Sequence, residues 1–352
     1  QAPSQTEPFR HIDRARRRRG YVITRLEAAG LYTPDVIAAA RVAPIVVAPR
    51  QRVYRAPRFV DRVLGSQGHP SRVATTLDLD LQTRGESLLR DAVRDGSALG
   101  VTNACGLVLH VPTGEVRAYV GAALDGEGAE GGQLDLLTRR RHPGSTLKPF
   151  AYRAFFERGG LPVSTLADSA YSMTDGDGRT YEAENFDGAA RGRVSARTAL
   201  ASSLNLAALD VARRVGADVL TRDLRRFGFG GVVSADEHGG AVVLGGISVT
   251  PLELARAYLT LARGGESVAP TFVPTTSPRV TRVAGAASVA LVTDILMDEH
   301  ARAEGFGADL ASLASTAPFA LKTGTSPEFR DAWAAVYDAD YVVVVWFGDP
   351  RG

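Results

Sequence analysis

The sequence predicts an α+β fold in which one antiparallel sheet is flanked by helices. Three observations carry this. Residues 105–111 and 116–120 are apolar runs joined by Pro112-Thr113-Gly114-Glu115, the pattern of a β-hairpin. The end of the chain holds three more strand-like runs, 319–325, 331–337 and 341–347, the last two joined by Asp338-Ala339-Asp340. Between these two regions apolar residues recur at helical spacing, so the late strands must pair back onto the early hairpin with helices packed outside.

Taken in order, residues 10–29 read as a helix, with Ile12, Ala15, Tyr21, Val22 and Leu26 apolar among arginines and Gly30 as its stop. A second helix is expected at 34–42, after Thr33 and before Pro44. Residues 45–70 carry Pro49, Pro57, Gly65 and Pro70 in mixed-polarity sequence and predict an extended connector with short strands. An extended lead-in at 73–81 precedes an amphipathic helix at 82–94 closed by Gly96, and a flexible acidic loop is expected at 126–132. Further helices are expected at 145–158, 195–202, 206–215, 251–263 and 284–298, several stopped by Gly159, Gly216 and Gly264. No internal repeat is visible.

Composition bounds the function. With 352 residues, 45% apolar and 23% charged, the chain can bury a large core, which excludes disorder, collagen and coiled coil. The longest strongly apolar run, 341–347, is far short of the roughly 18 to 20 residues of a spanning helix, so no bilayer crossing is expected. A single cysteine, Cys105, excludes an internal disulfide, and its apolar run predicts a buried thiol. The chain starts at Gln1 with no signal-like segment and is expected to be a processed or excised piece of a longer protein. Net charge is +2, but residues 1–72 hold 14 Arg against 5 acidic residues, or +9, leaving −7 for the rest. Such asymmetry marks two different parts. The densest basic cluster, Arg14 with Arg16, Arg17, Arg18 and Arg19, reads as a solvated helix face, with anionic lipid or nucleic acid as the alternative partner.

Of 41 basic residues only Lys148 and Lys322 are lysines. A chain so biased toward arginine keeps lysine where arginine cannot substitute, at a site needing an amine that can lose its proton or act as a compact charge. Lys148 lies in Pro143-Gly144-Ser145-Thr146-Leu147-Lys148-Pro149-Phe150. Pro149 is tolerated only in a first turn, so a helix starts near Ser145 and puts Ser145 and Lys148 on one face, a physically sensible nucleophile and base. Ser202-Ser203-Leu204-Asn205 lies between two helices and can point a hydroxyl and an amide into a cleft. Leu321-Lys322-Thr323-Gly324-Thr325-Ser326 sits on a strand, where Lys322 and Thr325 offer a cation and a hydroxyl and Gly324 lets another chain approach. Singly, each has an ordinary reading: a capped helix, a polar turn, a polar strand end. In this order, with both lysines inside the motifs, they act as a set.

The set resembles that of penicillin-binding proteins and serine β-lactamases. Flanking sequence narrows the resemblance: Gly132-Gln133-Leu134-Asp135 and Arg141-His142 before Ser145, Glu184-Asn185-Phe186-Asp187-Gly188 before Ser203, Gly245-Gly246 with Val249-Thr250-Pro251 and Glu253-Leu254-Ala255, and Arg330-Asp331-Ala332-Trp333 after Lys322. Together these are similar to a class A, bifunctional penicillin-binding protein of the 1C type. The resemblance implies a penicillin-binding, β-lactamase-like transpeptidase fold, an antiparallel sheet with flanking helices plus a mainly helical subdomain. It divides the chain into the last helices of a truncated glycosyltransferase domain at 1–48, a linker at 49–72 and a C-terminally truncated transpeptidase domain at 73–352.

The mechanism so implied begins with Ser145 attacking the penultimate D-alanine carbonyl of a D-Ala-D-Ala stem peptide, after which an amine of a second stem resolves the acyl-enzyme. Lys148 is the implied general base, Ser203 and Lys322 relay the proton, and Asn205 holds the substrate amide. Lys322, Thr323 and Thr325 bind the terminal carboxylate, Gly324 admits the substrate backbone, and the backbone N–H groups of Ser145 and Thr325 form the oxyanion hole. Implied partners are peptidoglycan stem peptides, a lipid-linked glycan precursor and β-lactams, with no cofactor, metal or nucleic acid. The implied location is the periplasm, the parent protein being anchored in the cytoplasmic membrane through an N-terminal part missing here.

A β-lactamase that positions water with a glutamate followed four residues later by asparagine is disfavoured, because no asparagine follows Asn205. A D,D-carboxypeptidase and a non-turnover sensor of β-lactam or peptidoglycan stay open. The six histidines, His11, His69, His110, His142, His238 and His300, show no i, i+4 pairing for zinc. Asp175-Gly176-Asp177-Gly178 starts like a calcium loop, but Phe186 stands where the bidentate Glu belongs, so a turn is expected.

Overall fold

The computed structural model describes residues 6–8, 10–46, 55–68, 70–125, 128–174, 180–231, 239–306, 318–326 and 330–351. The Asp175 to Gly178 stretch and part of the 126–132 loop lie outside them. The chain forms two compact units, Gln1–Arg55 and Ala56–Gly352. The first holds α1 (Ile12–Ala28) and α2 (Pro34–Val42), which bury Ile23 and Ile37. Arg19 donates to the Ala43 carbonyl at 2.6 Å and Arg41 pairs with Glu27, while Arg14, Arg16, Arg17 and Arg18 are exposed along α1.

The second unit opens with α3 (Pro57–Gln67), α4 (Leu79–Gly96), β1 (Asn103–His110), β2 (Val116–Val120) and α5 (Lys148–Glu157). Next come β3 (Thr165–Asp168), β4 (Tyr171–Thr174), β5 (Thr180–Ala183), β6 (Gly192–Ser195), α6 (Ala196–Ala201), α7 (Asn205–Val215) and α8 (Ala217–Phe227). It closes with α9 (Pro251–Ala262), β7 (Glu266–Val268), β8 (Val280–Arg282), α10 (Ala286–Met297), α11 (Glu299–Phe306), β9 (Ala320–Thr325), β10 (Asp331–Tyr337) and β11 (Tyr341–Gly348).

The sheet order is β2-β1-β11-β10-β9, antiparallel throughout, so the last strands do return to the first hairpin. Alternation assigns its faces. Cys105, Leu107 and Leu109 of β1, with Val342, Val344 and Trp346 of β11, enter the main core. Leu89 and Val93 of α4 cover the other face, packing with Ala104, Val120, Val345 and Phe347. Opposite lies a helical layer centred on α5, every residue of which from Lys148 to Phe156 is buried. Phe150 meets Phe227, Phe229 and Tyr258 edge-to-face at ring distances of 5.0, 5.3 and 5.6 Å. β9 is left as an edge strand, and it carries Lys322 to Thr325. The Cys105 thiol is fully buried as expected, and burial raises its pKa.

Several local expectations are corrected. The connector of short strands expected at 45–70 is helical over Pro57–Gln67. Pro57 occupies the first turn, where its missing N–H costs nothing, and Phe59 and Val63 form a buried i, i+4 stripe, Phe59 lying 5.6 Å from the Phe272 ring. α4 starts at Leu79 rather than 82 because the Asp78 carboxylate accepts from the N–H groups of Asp80 and Leu81, both at 3.0 Å. α8 is an unexpected helix: Gly216, read as a stop, also serves as its start. The expected helix 145–158 begins instead as a 3₁₀ turn, Gly144–Leu147, and becomes α-helical only at Lys148. α11 and the two-stranded pairs β3-β6, β4-β5 and β7-β8 have no counterpart in the expectations. Among the described residues no helix is long and apolar enough to cross a membrane.

Candidate active site

The fold brings the three motifs to one groove beside β9. Ser145 is on the second residue of the 3₁₀ turn and is half-buried, while Gly144, Thr146, Leu147 and Lys148 around it are buried. Other groups fix the turn. Thr146 Oγ1 donates to Pro143 O at 2.8 Å, Tyr258 OH to Thr146 O at 2.8 Å, and Trp333 Nε1 to His142 O at 2.9 Å. Arg141 and Val249 exchange both backbone hydrogen bonds, at 2.8 and 2.9 Å.

β9 lies directly against this turn, and two glycines permit it. A Cβ on Gly144, whose φ is +52°, would collide with the Thr325 carbonyl and backbone nitrogen. A Cβ on Gly324 would strike Pro143 O and come within 2.7 Å of Thr146 Cγ2. Backbone from both motifs therefore meets with no side chain between. Gly324→Ala is expected to destabilise the protein by about 1 to 3 kcal/mol, since the neighbours it meets are mostly backbone, and to slow any reaction that uses this groove. Urea unfolding at wild-type midpoint would contradict that contact.

Ser203 sits between α6 and α7 with φ +57°, in the left-handed region that a non-glycine residue enters at a cost of about 1 to 3 kcal/mol. Leu204 turns into the core and Asn205 starts α7. Two amines converge here. Lys148 Nζ donates to Ser203 O at 2.5 Å and Asn205 Oδ1 at 2.7 Å, with Ser203 Oγ at 3.4 Å. Lys322 Nζ donates to Ser203 Oγ at 2.8 Å and Thr323 O at 2.7 Å. Thus Lys148, Ser203, Asn205 and Lys322 share one network, with half-buried Thr323 and exposed Thr325 on the adjoining strand. Among the described residues no hydrogen bond joins the Ser145 hydroxyl to either lysine. What links Ser145 to Lys148 is backbone, the Lys148 N–H bonding to Ser145 O.

Electrostatics follow from burial. Lys148 is fully buried, and desolvation, reinforced by the charge of Lys322, holds its pKa well below the ordinary lysine value, while Asp168 opposes the shift. Lys322 is lowered to about 7, by burial first and the Arg302 guanidinium second. Two ammonium charges around one hydroxyl are disfavoured. No group of His, Cys, Asp and Glu able to hold a metal ion occurs among the described residues.

Sequence reasoning missed the groups behind this network. Asp168, at the end of β3, is fully buried; it accepts from Asn185 Nδ2 at 2.9 Å, Arg191 N at 2.8 Å and Ala207 N at 3.2 Å. Asn185 Oδ1 in turn accepts from Asn205 N at 2.7 Å and Leu206 N at 3.3 Å. Asn185 was visible in its motif, but nothing in sequence tied it to the start of α7. Arg302 on α11 lies against the same turn, since Ser202 Oγ donates to Ala301 O at 2.8 Å.

The penicillin-binding protein transpeptidase domain model matches residues 104–348. Penicillin-binding protein 1C of Escherichia coli is 32% identical over the whole of this chain, which covers 44% of that protein. Penicillin-binding protein 1B of Vibrio cholerae is 27% identical over 98% of this chain and 47% of its own. The chain therefore spans a little under half the length of these two relatives. Among solved structures, penicillin-binding protein 1A from Haemophilus influenzae matches with a TM-score of 0.80 at 18% identity, over 99% of this chain and 74% of that one. Penicillin-binding protein PonA1 from Mycobacterium tuberculosis matches at 0.67 and 24%, over 84% and 82%. Both likenesses concern the fold.

Proposed function

We propose, from the premise that this chain belongs to the penicillin-binding protein transpeptidase family, that it is a serine D,D-transpeptidase acting on D-Ala-D-Ala stem peptides and acylated by β-lactams. The observation that carries the proposal is the convergence of Lys148 and Lys322 on Ser203, beside the turn that presents Ser145. A neutral amine has two N–H bonds and a lone pair. In Lys148 the two N–H bonds are matched to Ser203 O and Asn205 Oδ1. The lone pair is then left for a hydroxyl proton, and deep burial keeps the amine neutral enough to accept it.

Ser145 Oγ attacks the penultimate D-alanine carbonyl carbon as Lys148 takes its proton. The resulting oxyanion is held by the N–H groups of Ser145 and Thr325, donors of a kind worth about 2.7 to 4 kcal/mol each. Collapse expels the terminal D-alanine, whose amine is protonated through Ser203, the hydroxyl bonded to Lys322. The acyl-enzyme is then resolved by an amine of a neighbouring stem. Lys322, Thr323 and Thr325 receive the terminal carboxylate, and Gly324 leaves room for the extended substrate along the β9 edge. Asn205 holds the substrate amide.

Residues 1–48 are read as the end of a glycosyltransferase domain, with 49–72 leading into the transpeptidase domain. The parent protein, anchored in the cytoplasmic membrane through its N-terminal part, would carry the site outside that membrane, where stem peptides and the lipid-linked glycan precursor are found. Labelling with a fluorescent penicillin, mapped to a peptide, and a separate incubation of unlabelled protein with a stem-peptide dimer test this. Adduct on Ser145 with cross-linked product is expected. Free acid product in place of cross-links would make it a carboxypeptidase, stable adduct with no turnover a sensor, and absence of adduct would sink the serine mechanism.

A further inference from the structure

We propose that Asp168, acting through Asn185, is a positioning residue for the acylation step, holding Asn205 and the Ser203 turn so that Lys148 Nζ meets its acceptors. This rests on the transpeptidase reading above. Leu204, at the cap position of α7, has no side-chain oxygen, so the first N–H groups of that helix need outside acceptors. Asn185 Oδ1 takes those of Asn205 and Leu206, and Asp168 Oδ1 takes that of Ala207. Asp168 and Asn185 thus form a cap assembled from elsewhere in the chain. The amide of Asn185 cannot rotate to other partners, since its Nδ2 donates to both Asp168 oxygens, at 3.1 and 2.9 Å, and to Ala189 O at 2.8 Å. Asn205 is pinned at its other end too, Nδ2 donating to Glu184 O at 2.7 Å, which leaves Oδ1 facing Lys148.

A cap alone does not need a charge. Asp168 is fully buried and its hydrogen bonds come from an amide and backbone N–H groups, all neutral donors. Its negative charge is therefore felt by its neighbours. Those facing it are Lys148 and Tyr152 on α5, and Asp210 on α7 also acts on Tyr152; among the described residues the buried Tyr152 hydroxyl has no hydrogen-bond partner. Facing Lys148 itself are Lys322 from β9 and Asp168 from β3, with opposite effects on its proton. Asp168 thus balances the repulsion between the two amines, and its loss makes Lys148 easier to deprotonate but worse placed.

The test measures acylation of the full chain by a fluorescent penicillin as a function of pH, with thermal unfolding alongside. Asp168→Asn is expected to cut the plateau rate about 10²-fold, the scale of a small misplacement of reacting groups, and to move the acid limb to lower pH. Asn185→Ala keeps the charge and breaks the link, so it should lose rate similarly with the limb unmoved, and it decides the matter if Asp168→Asn does not fold. Wild-type rate in folded Asn185→Ala overturns the proposal, as does a rate loss in Asp168→Asn with no movement of the limb, the mark of a structural role alone. Unlabelled wild-type Ser145 would instead strike the transpeptidase reading, so the two failures are separable.

Discussion

Ser145→Ala is expected to abolish covalent capture of penicillin while changing stability by no more than about 0.5 kcal/mol. The two halves of this expectation have different origins. Capture fails because the acyl bond needs an oxygen at that position, and no other hydroxyl in the groove is equivalent. Ser203 Oγ is the other motif serine hydroxyl, but it already accepts from Lys322 at 2.8 Å and sits on a strained left-handed residue. Stability survives because, among the described residues, the turn is held without the Ser145 hydroxyl, by Thr146, Tyr258 and Trp333 through backbone carbonyls and by the Lys148 N–H on Ser145 O. All of these persist in alanine. Gel fluorescence reads the first half and urea unfolding the second. Label retained in the variant would move the nucleophile elsewhere, and a large stability loss would mean the hydroxyl has a structural partner.

The residues of the candidate site were legible because they lie in short segments whose residue types are unusual for this chain. Lys148 and Lys322 stand out among 39 arginines before any fold is known. The sheet was legible for a related reason: β1, β2 and the last three strands are local apolar runs with clear turns, and antiparallel pairing was the economical way to close them. What was not legible depends on distance. Asp168 is one carboxylate on a four-residue strand, and its meaning comes from Asn185 and Ala207, 17 and 39 residues away. No periodicity records such a contact. α3 was hidden differently, because Pro57 and Gly65 signal extended chain locally while the burial of Phe59 against Tyr119 and Phe272, a tertiary effect, decides for helix. Hydrogen-bond geometry also refined the picture of Lys148. Spacing put Ser145 and Lys148 on one face, whereas the fold directs Lys148 Nζ to Ser203 and Asn205 and leaves Ser145 joined through backbone.

Lys148→Arg and Lys148→Met are each expected to slow acylation about 10³-fold, within the range general bases contribute. Arginine keeps the positive charge yet cannot lose its proton, and methionine keeps the shape without the lone pair, so the two variants together separate charge from basicity. If charge were what mattered, arginine would rescue. Lys322 could in principle stand in as base, being lowered to about 7 and bonded to Ser203 Oγ. The pH profile decides between them. Lys322 is a cause of the depressed Lys148 pKa, so removing its charge in Lys322→Met lets the Lys148 pKa rise. More of Lys148 is then protonated at a given pH, and the acid limb of the acylation profile must move upward if Lys148 is the base. Were Lys322 the base, the same variant would lose the limb itself instead of shifting it. Measured acylation rates across that limb, for wild type and Lys322→Met, therefore assign the proton acceptor, and an unshifted limb in the variant would remove the electrostatic coupling on which the assignment of Lys148 rests.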